Sequence, residues 1–162
     1  MAEIWDLLDK DGNKCGVSWP RSEFDRIPEG HYFPCVEVWV KIGDKLLITQ
    51  RHPDKTEGLK YDCPGGAVLS GESIYDGALR ELYEEVGIAA DSDSLKLMGS
   101  FIRGHAYAFS FLLKLSDLPS ITLQPAEVVG YRLVDRMEFE AMTDDITEGT
   151  KARYLLYKDE IF

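Results

Sequence analysis

The sequence predicts an α/β fold in which a mixed β-sheet lies between helices. Several short stretches alternate apolar and polar residues as strands do, and two longer stretches, 73–86 and 145–161, are typical of helices. A helix that crosses between strands, followed by a later helix, is typical of a sheet covered on both faces. No repeat or Pro/Ser-rich linker divides the 162 residues, so we expect a single domain spanning 1–162.

The first 30 residues are predicted to form a β-hairpin and a connector. The hairpin covers residues 3–18 and turns at Asp11-Gly12-Asn13, because apolar residues flank a turn of that composition. Proline and glycine residues in the segment that follows indicate an irregular connector.

Two further strands are predicted before the central helix. They cover residues 32–42 and 45–51 and are joined near Gly43, which indicates a second hairpin. The polar stretch 51–60 is predicted to be a surface loop. Residues 61–72 combine a short strand with a glycine-rich loop.

The stretch from Ser73 to Val86 is the predicted central helix. When residues are placed every 100° around a helix, its apolar residues fall within an arc of roughly 140°. These residues are Ile74, Tyr75, Ala78, Leu79, Leu82 and Val86. Gly87 follows them, at the position where a C-terminal glycine ends a helix.

The remaining residues are predicted to add strands and two helical segments. The strands lie at 95–102, 106–114 and 129–134. Tyr107, Phe109 and Phe111 alternate along the second of them, so we expect them to form one buried face. Glu138–Met142 is predicted to form one helical turn, and 145–161 a terminal helix. The residues expected to face inward on that helix are Tyr154, Leu155 and Ile161.

The chain is strongly acidic, with 29 acidic and 18 basic residues and a net charge of −11. This charge repels nucleic-acid backbones and anionic membranes, so we expect neither as a partner. No apolar run approaches the roughly 18 residues of a membrane span, and no secretory signal is present, which predicts a cytoplasmic protein. Three cysteines, Cys15, Cys35 and Cys63, form no CxxC pair and are expected to be reduced thiols.

Three glutamates share one face of the predicted helix, beside its apolar stripe. Glu81, Glu84 and Glu85 are neighbours there because they are three and four residues apart. Like charges at this spacing repel, and acidic residues in the last turn face the negative end of the helix dipole. A divalent cation would compensate this charge, since Mg²⁺ binds carboxylate and phosphate oxygens. The alternative is a solvated acidic surface.

Neighbouring residues favour the metal site over the acidic surface. The Pro-Gly-Gly loop at 64–66 can bring backbone close to a ligand, because glycine has no Cβ and adopts positive φ readily. Arg80 lies four residues before Glu84, where it can pair with that side chain and hold its rotamer. Glu72 lies at the N-terminus of the helix, where the dipole favours an acidic residue.

Residues 66–88 contain glycine, five residues, glutamate, seven residues, and then Arg-Glu-apolar-x-Glu-Glu-x-Gly-apolar. This arrangement resembles the Nudix box at every position. The matching residues are Gly66, Glu72, Arg80, Glu81, Leu82, Glu84, Glu85, Gly87 and Ile88. The strands before the box and residues 127–135 after it also resemble the family in order and spacing. Residues 3–16 resemble the opening of the isopentenyl-diphosphate-isomerase-like branch.

The resemblance implies the Nudix α/β/α sandwich and a Mg²⁺-dependent hydrolase that also accepts Mn²⁺. Glu84 and Glu85 would be the main metal ligands, with Glu81 a further ligand or the base for the attacking water. The implied substrate is a nucleoside diphosphate joined to another group, attacked by water at phosphorus. Homodimers are common in this fold, so a second copy of the chain is the other partner to expect.

The resemblance also implies roles for residues around the three glutamates. Arg80 would orient a glutamate, and Glu72 would be structural or contact the metal through water. A backbone carbonyl of Gly65 or Gly66 would complete the metal shell. Glu127 lies where many members of the family place an extra catalytic or metal-binding glutamate.

Two other functions remain open at the level of sequence. Isomerases of this family use a cysteine in the loop that precedes the first box glutamate. This chain has Gly65 at the corresponding position, with Cys63 two residues away. Nucleotide sensors of this fold typically lose box glutamates, and this chain retains them. Substrate selectivity is expected in loops outside the box, at 53–60, 103–106 and 115–128.

Overall fold

The computed structural model describes residues 2–162. The strands in that part of the chain are β1 (Ile4–Leu8), β2 (Lys14–Pro20), β3 (Phe33–Ile42), β4 (Lys45–Arg51), β5 (Tyr61–Asp62), β6 (Gly65–Ala67), β7 (Leu95–Arg103), β8 (Ala106–Leu115) and β9 (Val128–Val134). The α-helices are α1 (Ile74–Val86), α2 (Arg136–Ala141) and α3 (Glu148–Ile161). Short 3-10 helices lie at Arg21–Arg26, Ser92–Ser94 and Thr143–Asp145.

The main sheet is mixed, as the sequence predicts. Its central strands run β5-β4-β3-β8-β7, while β6 pairs with β3 and β9 pairs with β4. Strands β3 and β8 are parallel over ten residue pairs, from Phe33 with Ala106 to Ile42 with Leu115. The other pairings are antiparallel. This arrangement leaves two faces to be covered.

Helices cover both faces of the sheet. Val38 and Phe111 face α1, where Leu82 completes a buried cluster. Their strand neighbours Trp39 and Leu112 point to the opposite side, because successive residues of a strand face opposite ways. On that side they pack against residues of α2 and α3. The result is three layers, helix–sheet–helix.

The aromatic residues of β8 confirm the predicted buried face. Phe111 is fully buried, Tyr107 is 8% exposed, and Phe109 is partly buried against the same core as Phe111. The rings of Tyr107 and Phe109 stack, with their centroids 5.1 Å apart. These rings therefore serve packing, as the alternation predicts.

One expectation for the terminal helix is wrong. Tyr154 and Ile161 are buried as predicted, but the side chain of Leu155 is 69% exposed. Each helical residue is rotated 100° from the one before it, so Leu155 leaves the face that Tyr154 and Ile161 share seven residues apart. The helix also begins at Glu148 rather than 145, because Thr147 caps its first turn.

Helix α2 also begins earlier than the sequence predicts. It covers Arg136–Ala141 rather than Glu138–Met142, because Asp135 and Glu138 form a capping box at its N-terminus. Within residues 2–162, no helix combines the length and apolar character that crossing a membrane requires.

The N-terminal hairpin, β1 and β2, is a separate two-stranded sheet. It contributes Trp5 and Leu7 to a third buried cluster, together with Ile27. The connector that follows contains the 3-10 helix Arg21–Arg26, a regular segment that the sequence analysis does not identify. The hairpin thereby packs against the edge of the domain where β6 lies, next to the helix that carries the three glutamates.

Candidate active site

Local signals at both ends of α1 place the glutamates. Ser73 accepts a hydrogen bond from the backbone N–H of Asp76, and Asp76 accepts one in return from the backbone of Ser73. Gly87 ends the helix with φ of 74°, a left-handed conformation that costs glycine little. The helix therefore ends at Val86 as predicted and begins at Ile74, because Ser73 is its cap, and Glu81, Glu84 and Glu85 occupy its last two turns.

Glu85 lies on the buried face of the helix and is only 6% exposed. Its carboxylate accepts a hydrogen bond from the backbone N–H of Gly65, at 3.2 Å. Burial, together with the nearby negative charges of Asp62 and Glu81, raises the pKa of Glu85 to about 8. The alternative interpretation was that the glutamates form a solvated acidic surface. The burial of Glu85 contradicts that interpretation for this residue.

Arg80 ties the other carboxylates together. Its Nε and Nη2 donate to the two carboxylate oxygens of Glu72, at 2.7 and 3.0 Å. Its Nη1 donates to Glu81 at 2.7 Å and to Glu84 at 3.2 Å, and Nη2 also reaches the carbonyl oxygen of Ala67. The predicted pairing with Glu84 is present, but the shorter contacts to Glu72 and Glu81 show that one guanidinium organises all three acids.

Glu72 and Glu81 respond differently to Arg80. Burial opposes ionisation of Glu72, but hydrogen bonds from Arg80 and from the backbone N–H of Leu69 lower its pKa. Burial is decisive at Glu81, whose pKa is raised although Arg80 bonds to it. Glu72 therefore anchors Arg80 as a carboxylate, while Glu81 has the greater affinity for a proton.

The two glycines of residues 64–66 approach other groups closely, for a reason that differs from the expected one. Neither has positive φ; both belong to β6, which pairs with β3. A Cβ on Gly66 would lie 2.5 Å from the carboxyl group of Glu81, and one on Gly65 would collide with the carbonyl oxygen of Val36. Space, rather than backbone conformation, limits both positions. At Gly65 the obstacle is the backbone of β3, whereas at Gly66 it is the carboxyl group of Glu81, which a larger residue would displace.

A cavity of about 590 Å³ opens in front of these residues. Its acidic end is formed by Glu81, Glu84 and Glu85 with Gly65 and Gly66. Its other lining residues include Arg80, Lys55, Gln124, Glu127, Cys35, Trp5, Phe24 and Phe33. Pockets of this volume hold small molecules of nucleotide size.

Glu127 faces the same cavity, as the resemblance implies, but its carboxylate is already paired. It forms an ion pair with the ammonium group of Lys55, which comes from the loop after β4. The side chain of Glu127 is 39% exposed, against 15% for Glu81. The structure thus brings both candidate bases to the cavity, with Glu81 in its interior and Glu127 at its rim.

Asp62 is an acidic neighbour that the sequence analysis missed. It lies on β5, two residues before the Pro-Gly-Gly segment, and accepts a hydrogen bond from Arg51 at 2.7 Å. Burial raises its pKa despite that partner. Its charge in turn raises the pKa of Glu85. The only signal in the sequence was that Asp62 lies next to the glycine segment. That signal does not distinguish it from the other acidic residues outside the box.

The donor set suits a hard divalent cation. The acidic end offers carboxylate and carbonyl oxygens, and Glu85 forms no ion pair within residues 2–162 although Asp62 and Glu81 are close to it. In the same residues no three acidic, histidine or cysteine side chains converge as a ready-made ligand cage. Arg80 accounts for this, because it draws Glu81 and Glu84 to its own guanidinium group.

The fold resembles that of a solved structure. A bifunctional NMN adenylyltransferase/ADP ribose pyrophosphatase from Francisella tularensis, complexed with AMP and manganese, matches with a TM-score of 0.72. It is 18% identical, and the match covers 88% of this chain and 45% of that one. This likeness confirms the predicted α/β/α sandwich.

Sequence comparisons identify the family. The family model described as NUDIX domain matches residues 31–156. An uncharacterised Nudix hydrolase of Listeria monocytogenes is 32% identical over 143 residues, which cover 86% of this chain and 84% of the relative. Nudix hydrolase 3 of Arabidopsis thaliana is 30% identical over 154 residues, but the chain spans only 20% of that longer protein. The chain belongs to the Nudix hydrolase family, and it is a pyrophosphohydrolase.

Proposed function

We propose that the protein hydrolyses the diphosphate bond of a nucleoside diphosphate joined to another group, and that it requires Mg²⁺ or Mn²⁺. The observation that carries the proposal is the buried carboxylate of Glu85, which lies beside two other acids at one end of a nucleotide-sized cavity. Burying such charge is costly unless a cation compensates it. The Francisella structure was solved with AMP and manganese, which makes these the first ligand and metal to test.

In this proposal Glu84 and Glu85 hold the metal, together with a backbone carbonyl of Gly65 or Gly66. When bound, the cation neutralises phosphate oxygens and makes water more acidic. Arg80, anchored on Glu72, positions the carboxylates, and Lys55, paired with Glu127, lies in the cavity lining.

The reaction requires a proton acceptor for the attacking water. The water oxygen forms a bond to phosphorus, the bridging P–O bond breaks, and the proton passes to a carboxylate. We assign that role to Glu81, because burial raises its pKa and Gly66 leaves space beside its carboxyl group. Glu127 is the weaker candidate, since Lys55 already neutralises it.

Substitution of each glutamate by glutamine separates the two candidate bases. We expect Glu81→Gln to lower kcat by about 10²- to 10⁴-fold, which is the usual contribution of a general base. Glu127→Gln should cause a much smaller loss, mainly in KM. Steady-state rates at saturating Mg²⁺ measure both, and a larger kcat loss for Glu127→Gln would transfer the role to that residue.

The isomerase alternative receives little support from the thiols. Cys63 is 5% exposed, and burial raises its pKa well above the usual value. Cys35 does line the cavity, but burial raises its pKa to about 12, which leaves a poor proton donor. Neither thiol is suited to proton transfer at neutral pH.

A substrate panel tests the proposal directly. Purified protein is incubated with Mg²⁺ and ADP-ribose, NADH, the nucleoside triphosphates, NAD-capped RNA or isopentenyl diphosphate, and the products are identified. We expect a nucleoside monophosphate and a second phosphorylated product from a small nucleotide, no turnover in EDTA, and recovery when Mg²⁺ is restored. The net charge of −11 disfavours the capped RNA.

Several outcomes would contradict the proposal. Undiminished turnover in chelator would remove the metal requirement. Conversion of isopentenyl diphosphate alone would support an isomerase, and nucleotide binding without any cleavage would support a sensor. Cleavage of capped RNA in preference to every small nucleotide would change the substrate class.

A further inference from the structure

An aromatic wall, formed by Trp5, Phe24 and Phe33, lines part of the cavity that the glutamates also line. The rings of Trp5 and Phe33 stack, with centroids 4.5 Å apart and planes 26° from parallel. Phe24 stands edge-on to both, at 6.4 Å from Trp5 and 5.6 Å from Phe33. Trp5 is 3% exposed, whereas Phe24 is 41% exposed. The wall therefore has a packed base and an accessible ring.

The N-terminal segment that carries most of this wall is held firmly against the box. Asp6 of β1 accepts hydrogen bonds from the hydroxyl of Ser70, at 2.6 Å, and from the backbone N–H of Gly71, at 3.1 Å. The backbone N–H of Ser70 donates to the carbonyl of Ile4, at 2.8 Å. Hydrogen bonds lower the pKa of Asp6 to about 2, and the bond from the Ser70 hydroxyl contributes most. The wall is thus placed relative to the loop that leads into α1.

The lining of the cavity combines two kinds of surface. The glutamates, Arg80 and Lys55 are charged, and the aromatic wall is apolar. Arg21 and Glu3 line the same cavity, and Arg21 donates to Glu3 at 2.9 Å, which adds a hydrogen-bond donor and an acceptor to the lining. A ligand that matches all of these features has a flat ring with polar edges, attached to phosphate.

A nucleobase has that combination, and an isoprenoid chain does not. Bases stack on aromatic side chains and present both donors and acceptors at their edges. An isoprenoid chain has no polar group to offer the Arg21 and Glu3 side chains in the cavity lining, and covering polar groups without a partner costs free energy. Within residues 2–162 the indole N–H of Trp5 has no acceptor, so stacking rather than a polar anchor holds that ring.

We infer that residues 3–26, together with Phe33, form the nucleobase subsite of this enzyme. The base stacks on the aromatic wall, and the diphosphate extends from it to Glu81 and Glu85. Residues 3–26 lie outside the region 31–156 that the family model matches, so the subsite is an addition to the common domain. The inference deepens the proposed function, because it names the part of the substrate that the N-terminal segment binds.

Binding of nucleoside monophosphates tests the inference without any turnover. Affinities for AMP, GMP, CMP and UMP are measured by calorimetry in Mg²⁺, beside ribose 5-phosphate, which has the sugar phosphate but no base. We expect at least one nucleotide to bind more tightly than ribose 5-phosphate. Phe24→Ala should weaken the binding of that nucleotide roughly five- to hundredfold, which is the usual effect of removing an aromatic ring on which a base stacks. The affinity for ribose 5-phosphate should not change. Phe24→Tyr should restore binding.

Tyr131→Ala is the matched control, because Tyr131 is 40% exposed and does not line the cavity. Melting curves verify that each variant is folded. Equal losses for nucleotide and ribose 5-phosphate, or no loss from Phe24→Ala, would overturn the inference. An equal loss of isopentenyl diphosphate binding would also overturn it, in favour of an apolar-chain subsite. If Phe24 controls nucleotide binding but no diphosphate is cleaved, the proposed function fails and the subsite stands.

Discussion

Glu85→Gln is expected to abolish most turnover while making the metal-free protein more stable. The substitution nearly preserves size and helix propensity, but it removes the charge that the proposed metal ligand supplies. We expect kcat to fall by at least about 100-fold, since the water loses its activating cation. The stabilisation by Mg²⁺, measured as a shift in Tm, should shrink as well, because that shift reports binding to the folded state.

The effect of Glu85→Gln on stability should depend on pH. Burial raises the pKa of Glu85 from 4.5 in its ordinary state to about 8 in the folded protein. A carboxyl group with a raised folded pKa contributes stability that is complete below its unfolded pKa. That stability is lost as pH rises through the folded pKa. Wild-type protein in EDTA should therefore lose stability between about pH 5 and pH 8, and the variant should lose less.

Melting curves in EDTA at several pH values check this expectation. The difference in Tm between Glu85→Gln and wild type should widen as pH rises. Glu84→Gln is the control for stability, because it removes the same charge from a side chain that is 46% exposed and should change stability by only a few tenths of a kcal/mol. A pH-independent difference, together with normal turnover, would mean that Glu85 neither titrates with a raised pKa nor takes part in the reaction.

Gly66→Val is expected to reduce turnover by orders of magnitude with a smaller loss of stability. Its first added atom would lie 2.5 Å from the Glu81 carboxyl group, so that side chain must move. Strand geometry itself accepts valine readily, so the backbone of β6 can persist. Overpacking of this kind costs about 1–3 kcal/mol. The displaced Glu81 can no longer take the proton of the attacking water in the proposed mechanism.

Two alanine variants sharpen the interpretation. Gly66→Ala adds only the clashing Cβ and should already lower kcat by about tenfold or more, since the nearest atoms belong to the proposed base. Gly130→Ala, in β9, is the matched control because its Cβ would meet only Gln50, at 3.4 Å. Wild-type kcat in both Gly66 variants would show that the position of Glu81 does not matter for the reaction.

Several features of the fold were predictable because their causes are local. The bounds of α1 follow from Ser73 and Asp76 at one end and Gly87 at the other, which act on adjacent backbone groups. The strands follow from the alternation of apolar and polar residues, which indicates the face of each residue even when the neighbouring strand is unknown. Errors occurred where a short segment was assigned without its cap, as at α2, or a residue was assigned to the wrong helical face, as with Leu155.

By itself the sequence determined the α/β class, the order of the elements and the residues of the box, because each depends on neighbours within a few positions. Only the tertiary structure decided that Glu85 is buried beside Asp62, that Gly66 is needed for space, and that the N-terminal aromatic residues share a cavity with the glutamates. These are contacts between segments distant in the chain. The burial of a residue and its interaction with other charges depend on which segments pack together. The spacing of residues within one segment does not indicate which distant segments those are.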